Sequence, residues 1–454
     1  MLKRNIKLVF STNALMLCSG VVTSLLSSWS LGPHGRGDLM IVLTWPAVFA
    51  MVMEIGLPQA YRFWTAKRPE CVSALFSNAL IFAFFVGLLT LLFAELLIPR
   101  LVGRRSAEVM LLVRIYALII PMNLVTDLMR ALLEGARRFV WVGAVRLIFF
   151  GVQLVGFVML WLSGSLTVAN ATYTMIAAAV TSMTLSLIAV WRELAPSWRP
   201  RLAELKTALR FGLRDYPGVV TELVNWRLDS LVLTGIASSG SIGLYSVAVR
   251  LSDITTVMAS SVGDALMPEV ATLRKADEAT RMVTKSLRLT LFVHLVLLVP
   301  LWMTAPYILH FAYGAGFVPV TNVLRLLMIA SVMWSAGAIV ISGLNGLGHP
   351  GLSTIARITA ALVMVITLIA WLPRRGIQGA AMASLTGYSI MFVVALVGFL
   401  HRRQVSLWDC LRPRLEDVPV GLRPANLRAE LYKYTGRTKQ TKTTTGEALA
   451  AGIE

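Results

Sequence analysis

The chain is expected to be an all-α polytopic membrane protein, with about twelve transmembrane helices in two six-helix bundles. Three observations lead there. Of 454 residues, 57% are hydrophobic and only 14% charged, and the mean hydropathy is +0.73, too apolar for a soluble globule. The apolar runs extend over roughly 20 residues, the length a helix needs to cross the hydrocarbon core, and do not alternate over ten-residue strands. Finally, Arg114, Gly135 and Arg146 recur as Arg325, Gly346 and Arg357, each 211 positions later, so one half was built twice. Arginine is poorly tolerated in lipid, and its recurrence predicts a shared interior surface.

In chain order the first half gives spans at 7–31, 39–64, 72–98, 108–134, 139–162 and 168–191; the second gives 207–236, 242–268, 284–308, 319–345, 350–372 and 376–400. Lys3, Arg4 and Lys7 precede the first apolar run, which is too long for a signal-peptide core and is read as a retained span. Gly32-Pro-His-Gly-Arg-Gly37 turns the chain into the second span, and Glu54-Ile-Gly-Leu-Pro58 interrupts it. The seventh span carries Asp215, Glu222, Arg227 and Asp229, so its polar stripe must face protein or water. In the eighth, Arg250 and Asp253 stand three residues apart on one helical face. Ser342-Gly-Leu-Asn-Gly-Leu-Gly-His-Pro350 lacks a Walker lysine and a preceding strand, so it is a hinge and not a phosphate loop. Gly376-Ile-Gln-Gly379 opens the last span. The domains read as 1–195, a linker 196–206, 207–401, and a basic tail 402–454.

Six spans per half is an even number, so the halves share one orientation and are related by a pseudo-two-fold axis along the membrane normal. Lys and Arg concentrate in the connections that face inward if the N-terminus is cytoplasmic, among them Lys67, Arg137, Arg138, Arg199, Lys206, Lys275 and Lys285. Both termini are therefore expected inside. Arg100, Arg104, Arg105, Arg374 and Arg375 run against that bias. The net charge of +19, with 33 Arg against 9 Lys, is explained by topology without invoking nucleic acid. The tail, with ten Lys and Arg, suits the surface of anionic lipid. Cys18, Cys71 and Cys410 have no metal-ligand spacing and the five histidines form no cluster, so no cofactor or metal is expected.

Duplicated membrane halves around a polar interior are a transporter's architecture. Arginines at both membrane depths predict a ladder that hands an anion between leaflets. Many ionisable residues nevertheless sit near span ends, where snorkelling or structural pairing is the commoner role.

The motifs also resemble those of a known family. Leu31-Gly-Pro-His-Gly-Arg-Gly-Asp38, Trp45-Pro46 and Glu54-Ile-Gly-Leu-Pro-Gln-Ala60 are similar to the first two helices of Wzx-type polysaccharide flippases. Asp229-Ser-Leu-Val-Leu, Ile242-Gly-Leu-Tyr-Ser-Val-Ala-Val-Arg-Leu251, Ala265-Leu-Met-Pro-Glu269, Asn345-Gly-Leu-Gly-His-Pro350 and Gly376-Ile-Gln-Gly-Ala-Ala381 fit the same pattern. The resemblance covers about residues 5–400 and extends to the multidrug/oligosaccharidyl-lipid/polysaccharide exporter superfamily. It implies two six-helix bundles arranged as a V, and movement of undecaprenyl-diphosphate-linked sugars across the bacterial inner membrane. It further implies a cationic cavity, for which Arg36, Arg146, Arg250, Arg325 and Arg357 are the available positions, and an energy source, for which Glu54, Asp229 and Asp253 are candidates to bind H⁺ or Na⁺. Glycosyltransferases and a glycan polymerase are the partners such a function implies.

Three rivals remain open. A drug–cation antiporter of the same fold favours an acidic cavity, against the excess of arginine. A membrane glycosyltransferase or polymerase needs a large external loop or paired carboxylates, neither of which is evident. A receptor or scaffold has no use for a duplicated polar interior.

Overall fold

The computed structural model describes residues 2–103, 105–273 and 275–412. Arg104, Arg274 and the tail from 413 onward lie outside the described residues, as do the side chains of Asp215, Glu222, Arg227 and Asp264. Helix α1 (Leu2–Met53) contains two spans joined at Gly32, whose φ of 63° breaks the helical path. Past Ile55 and Gly56, α2 (Leu57–Lys67) continues the second span. α3 (Val72–Leu101) follows, then α4 (Ala107–Tyr116) and α5 (Ile119–Gly135), which together make one span, then α6 (Phe139–Leu162) and α7 (Val168–Leu194). The second half comprises α8 (Leu202–Ile236), α9 (Ser239–Thr272), α10 (Ala276–Ile308), α11 (Thr321–Gly346) and α12 (Pro350–Arg403), which is again two spans, joined at Gly376 with φ 55°. A short α13 (Leu407–Leu411) closes the described chain. Each half thus supplies six spans, and no strand occurs among the described residues.

Helix starts are fixed by side-chain caps. Ser106, Thr167 and Ser238 accept from the backbone N–H of Val109, Asn170 and Ser241, satisfying donors that a helix end leaves open. Phe84, Phe85, Leu88, Leu92 and Leu96 of α3 are exposed, as are Leu295, Val296, Val299 and Met303 of α10. On helices of this length such apolar exposure is a lipid-facing surface. Eight stretches among the described residues are long and apolar enough to cross a membrane. α8 and α9, at 35 and 34 residues, are also long enough to span.

The 211-residue repeat is visible in backbone hydrogen bonds. At the end of α5, the N–H groups of Ala136, Arg137 and Arg138 donate to the carbonyls of Leu132, Glu134 and Leu133 at 2.9, 3.0 and 2.8 Å. At the end of α11, those of Leu347, Gly348 and His349 donate to Gly343, Asn345 and Leu344 at 2.9, 3.1 and 2.9 Å. Every partner is displaced by 211, and α6 and α12 begin at Phe139 and Pro350, also 211 apart. Gly135 lets α5 approach the backbone of Arg62 on α2, as Gly346 lets α11 approach that of Met267 on α9.

The halves meet along α1 and α9. Gly37 lies against the backbone of Ser239, and Gly243 against that of Pro33, so a Cβ at either position overlaps main chain that cannot yield. Ser239 Oγ donates to Asp38 Oδ1 at 2.6 Å, and Arg105 Nη2 donates to the carbonyls of Thr234 and Ala237 at 3.0 and 2.7 Å. At the opposite end Tyr216 donates to the Val52 carbonyl at 2.8 Å, and Phe63 stacks on Phe211 with centroids 4.9 Å apart. The connection before α8 is docked on α3: Asn78 Nδ2 donates to the Arg201 carbonyl at 2.8 Å, and Arg199 N–H donates to Ser77 Oγ at 2.9 Å. The largest apolar core joins both halves, with Leu39 and Val42 in one cluster with Ile242, Tyr245 and Leu324.

Candidate functional site

Between the halves lies a cavity of about 340 Å³, walled by α1, α6, α8 and α9. Its polar groups come from Thr23, Ser24 and Ser27 of α1, from Gln153, from Ser230, Thr234, Tyr245 and Ser246, and from Arg36, Arg250 and Asp253. Its volume falls within the range of small-molecule sites, roughly 300–1,000 Å³.

Arg36 is held there by neutral oxygens. Its Nε donates to Ser246 Oγ at 2.9 Å; Nη1 donates to the Ser24 carbonyl at 2.7 Å, Ser27 Oγ at 2.7 Å and Ser28 Oγ at 3.0 Å; Nη2 donates to Ser24 Oγ at 2.9 Å. Ser27 and Ser28 give their own protons to the Ser24 carbonyl, and Ser246 gives its proton to the Gly243 carbonyl. Their lone pairs therefore face the guanidinium. Arg36 is 8% exposed and makes no ion pair among the described residues. A buried charge is expensive unless it is hydrogen-bonded. Here the hydrogen bonds are supplied and the neutralising carboxylate is not, so the positive potential stays available to the cavity. Arg250 is its cationic neighbour and packs its guanidinium against Gly20, where any side chain overlaps it.

Next to this cavity is a second, of about 40 Å³, bounded by Asp229 and Asp253 with the hydroxyl-bearing Ser252, Thr256, Ser331 and Ser384. Asp229 is 5% exposed. Its Oδ2 accepts from Tyr245 OH at 2.5 Å and Ser384 Oγ at 2.9 Å, and its Oδ1 accepts from Ser230 N–H at 2.6 Å. It has no cationic partner among the described residues. Val249, Leu327, Ala330 and Trp334 also line it; the carboxylate and hydroxyl oxygens on the wall are chemically suited to a hard monovalent cation or a proton. No group of three or more metal-ligating side chains gathers among the described residues.

The other expected residues lie elsewhere. Arg146 stands 3.7 Å from Glu134, which also receives Arg62 at 2.6 Å and Arg130 at 3.7 Å. Arg130 pairs with Asp127 at 2.7 Å, and Glu54 lies beside Asp127. This is an ionic cluster of the first half, separate from the two cavities. Arg325 lies over the Trp302 ring, 4.4 Å from its centroid, and donates to the Trp302 carbonyl at 3.3 Å. Arg357 is half-buried on α12 and lines neither cavity. The arginine ladder is therefore not assembled: of the five arginines, Arg36 and Arg250 share the cavity. Arg114 corrects the expectation of a shared interior surface, because it is half exposed and pairs with Glu95 at 3.2 Å. The repeat preserved its place in the fold, not a place in the cavity.

Sequence reasoning missed Ser24, Ser27, Ser28, Tyr245, Ser246 and Ser384. The one legible signal was hydroxyls at 19, 23, 24, 27 and 28 within an apolar span, which is a single face at helical spacing.

The profile of a family described as polysaccharide biosynthesis protein matches residues 31–322. A Shigella flexneri protein assigned as an O-antigen transporter is 21% identical over 393 residues, covering 84% of this chain and 92% of that protein. Among solved structures, the lipid II flippase MurJ in an inward closed conformation superposes with a TM-score of 0.74 at 17% identity, over 88% of each chain. An inward-facing multidrug resistance MATE family transporter of the MOP superfamily gives 0.70 at 16% identity, over 86% of this chain and 94% of that one.

Proposed function

Because the chain belongs to the polysaccharide biosynthesis protein family, we propose that it flips a lipid-linked oligosaccharide across the bacterial inner membrane by alternating access, holding the diphosphate linker at Arg36 and Arg250. The observation that carries this reading is the buried, hydroxyl-caged Arg36, without a carboxylate partner among the described residues, set beside a second arginine in the cavity between the halves. A diphosphate is prohibitively costly in hydrocarbon. Two guanidinium groups offset that cost through charge-assisted, bidentate hydrogen bonds. The polyprenyl tail stays in lipid while the headgroup occupies the cavity. Net movement needs an energy source, for which Asp229 and Asp253 bind one H⁺ or Na⁺ in the smaller void. Glu54, which lies beside Asp127, is the second candidate, since a bound cation relieves the repulsion between neighbouring carboxylates. Both termini face the cytoplasm in this reading, glycosyltransferases supply the substrate from that side, and a polymerase consumes the product.

The rival is a cation-coupled drug exporter, which shares the fold of the MATE neighbour. A positive pair in the cavity repels the cationic substrates such an exporter takes. Reconstitution in vesicles decides between them. Lipid-linked oligosaccharide should be moved and a cationic dye left behind, and Arg36→Ala should lower transport of the first by roughly 10–100-fold. Movement of the dye alone, or full oligosaccharide transport by Arg36→Ala, overturns the assignment.

A further inference from the structure

Consecutive residues of α9, Tyr245 and Ser246, line the larger cavity, and Tyr245 also reaches Asp229, a carboxylate that borders the smaller void. Ser246 Oγ accepts from Arg36 Nε at 2.9 Å, and Tyr245 OH donates to Asp229 Oδ2 at 2.5 Å. Both are buried, at 7% and 2% exposure. On a helix, adjacent residues point about 100° apart, so this one turn presents the tyrosine to α8 and the serine to α1. Gly243 of the same turn lies against the backbone of Pro33 on α1. The segment 243–246 is thus held by three contacts: one to the Asp229 carboxylate at the edge of the smaller void, one to the arginine, and one to the seam between the halves.

We propose that Tyr245 and Ser246 are positioning residues that couple the cation void to the phosphate cavity, so that the charge state of Asp229 sets the geometry of Arg36. This rests on the reading of the two cavities given above. With Asp229 ionised, its carboxylate draws the Tyr245 hydroxyl by a charge-assisted bond, which fixes the rotation of α9 and places Ser246 Oγ as the acceptor for Arg36 Nε. A cation at Asp229 competes for the lone pairs that Tyr245 uses. The tyrosine bond weakens, α9 is free to rotate or slide, and the serine moves with it because the two share a rigid peptide unit. Arg36 then loses one of its neutral acceptors and has an N–H to offer to a phosphate oxygen. Cation and diphosphate therefore favour each other's binding, and linkage requires the effect to be equal in both directions.

The test uses the full chain in nanodiscs, with polyprenyl diphosphate as the probe and Na⁺ and pH as the varied cations. In the unaltered protein, saturating cation should tighten probe binding by about 5–50-fold. Tyr245→Phe, which removes the bond outright, should reduce that factor to below about twofold by raising cation-free affinity toward the cation-saturated value. Ser246→Ala, which cuts the link on its other side, should do the same and serves if Tyr245→Phe does not fold. Ser384→Ala removes another donor to Asp229 without touching the link; it should shift the cation concentration needed but preserve the factor at saturation. A full cation effect in both Tyr245→Phe and Ser246→Ala overturns the coupling and leaves the cavity assignment standing. An unaltered protein that binds the probe without any cation effect overturns the coupling together with the cation reading, and one that does not bind the probe overturns the phosphate cavity as well.

Discussion

At Glu134 the first half draws in Arg62, Arg130 and Arg146. At the matching position, 211 residues later, the second half has Asn345, and Ala338 and Ile341 stand where Asp127 and Arg130 do. The turns around these positions coincide bond for bond. Duplication thus fixed the backbone frame, because glycine approach and turn geometry tolerate little change, while the side chains between the helices were free to diverge. Beside its caged Arg36, the first half built an ionic cluster at Glu134. The second kept Asp229 among hydroxyls, with no cationic partner among the described residues. A cluster whose charges already satisfy one another is a structural anchor. A carboxylate satisfied only by neutral donors has affinity left for an ion.

The largest expected effect follows from that asymmetry. Asp229→Asn should abolish the cation dependence of vesicle transport, lowering driven transport by about 100-fold, whereas Glu54→Gln should leave the dependence in place. The reverse result moves the coupling ion into the first half. Next, Glu134→Ala takes this partner from Arg62 and Arg146, while Arg130 keeps Asp127, and should destabilise the fold by about 2 kcal/mol, while Asn345→Ala should cost less than about 1 kcal/mol; thermal unfolding in detergent compares the two directly. Equal shifts in the two variants remove the distinction between anchor and void. Gly20→Ala presses a methyl group on the Arg250 guanidinium. It should weaken polyprenyl diphosphate binding by roughly tenfold with an unchanged unfolding midpoint, since the far end of a flexible side chain can move aside at little cost to the fold. The smallest effect concerns the turns themselves. Arg137 has a φ of 59° where Gly348 has 80°, so Arg137→Gly should stabilise and Gly348→Ala destabilise, each by about 1 kcal/mol.

The comparison also shows why some residues were legible and others were not. Arg36 and Arg250 stood out because an ionisable group in an apolar run needs a reason. Arg146 and Arg325 stood out for the same reason and proved to be held by Glu134 and Trp302. Cost in lipid says that a charge must be answered; it does not say by what. Ser24, Ser27 and Ser246 drew no attention because a serine in a helix bonds its own backbone cheaply and costs little anywhere.

Hydropathy and period alone gave the twelve spans, the doubled half and the turns near residues 32, 135, 346 and 376, since span length and helix breaking are local properties of the chain. Which arginines meet in one cavity, and which carboxylate lacks a cation, depend on partners such as Arg36 and Ser246, which lie 210 residues apart. Those pairings follow from how each helix is rotated and against which neighbour it packs, and only the folded arrangement of all the helices settles that.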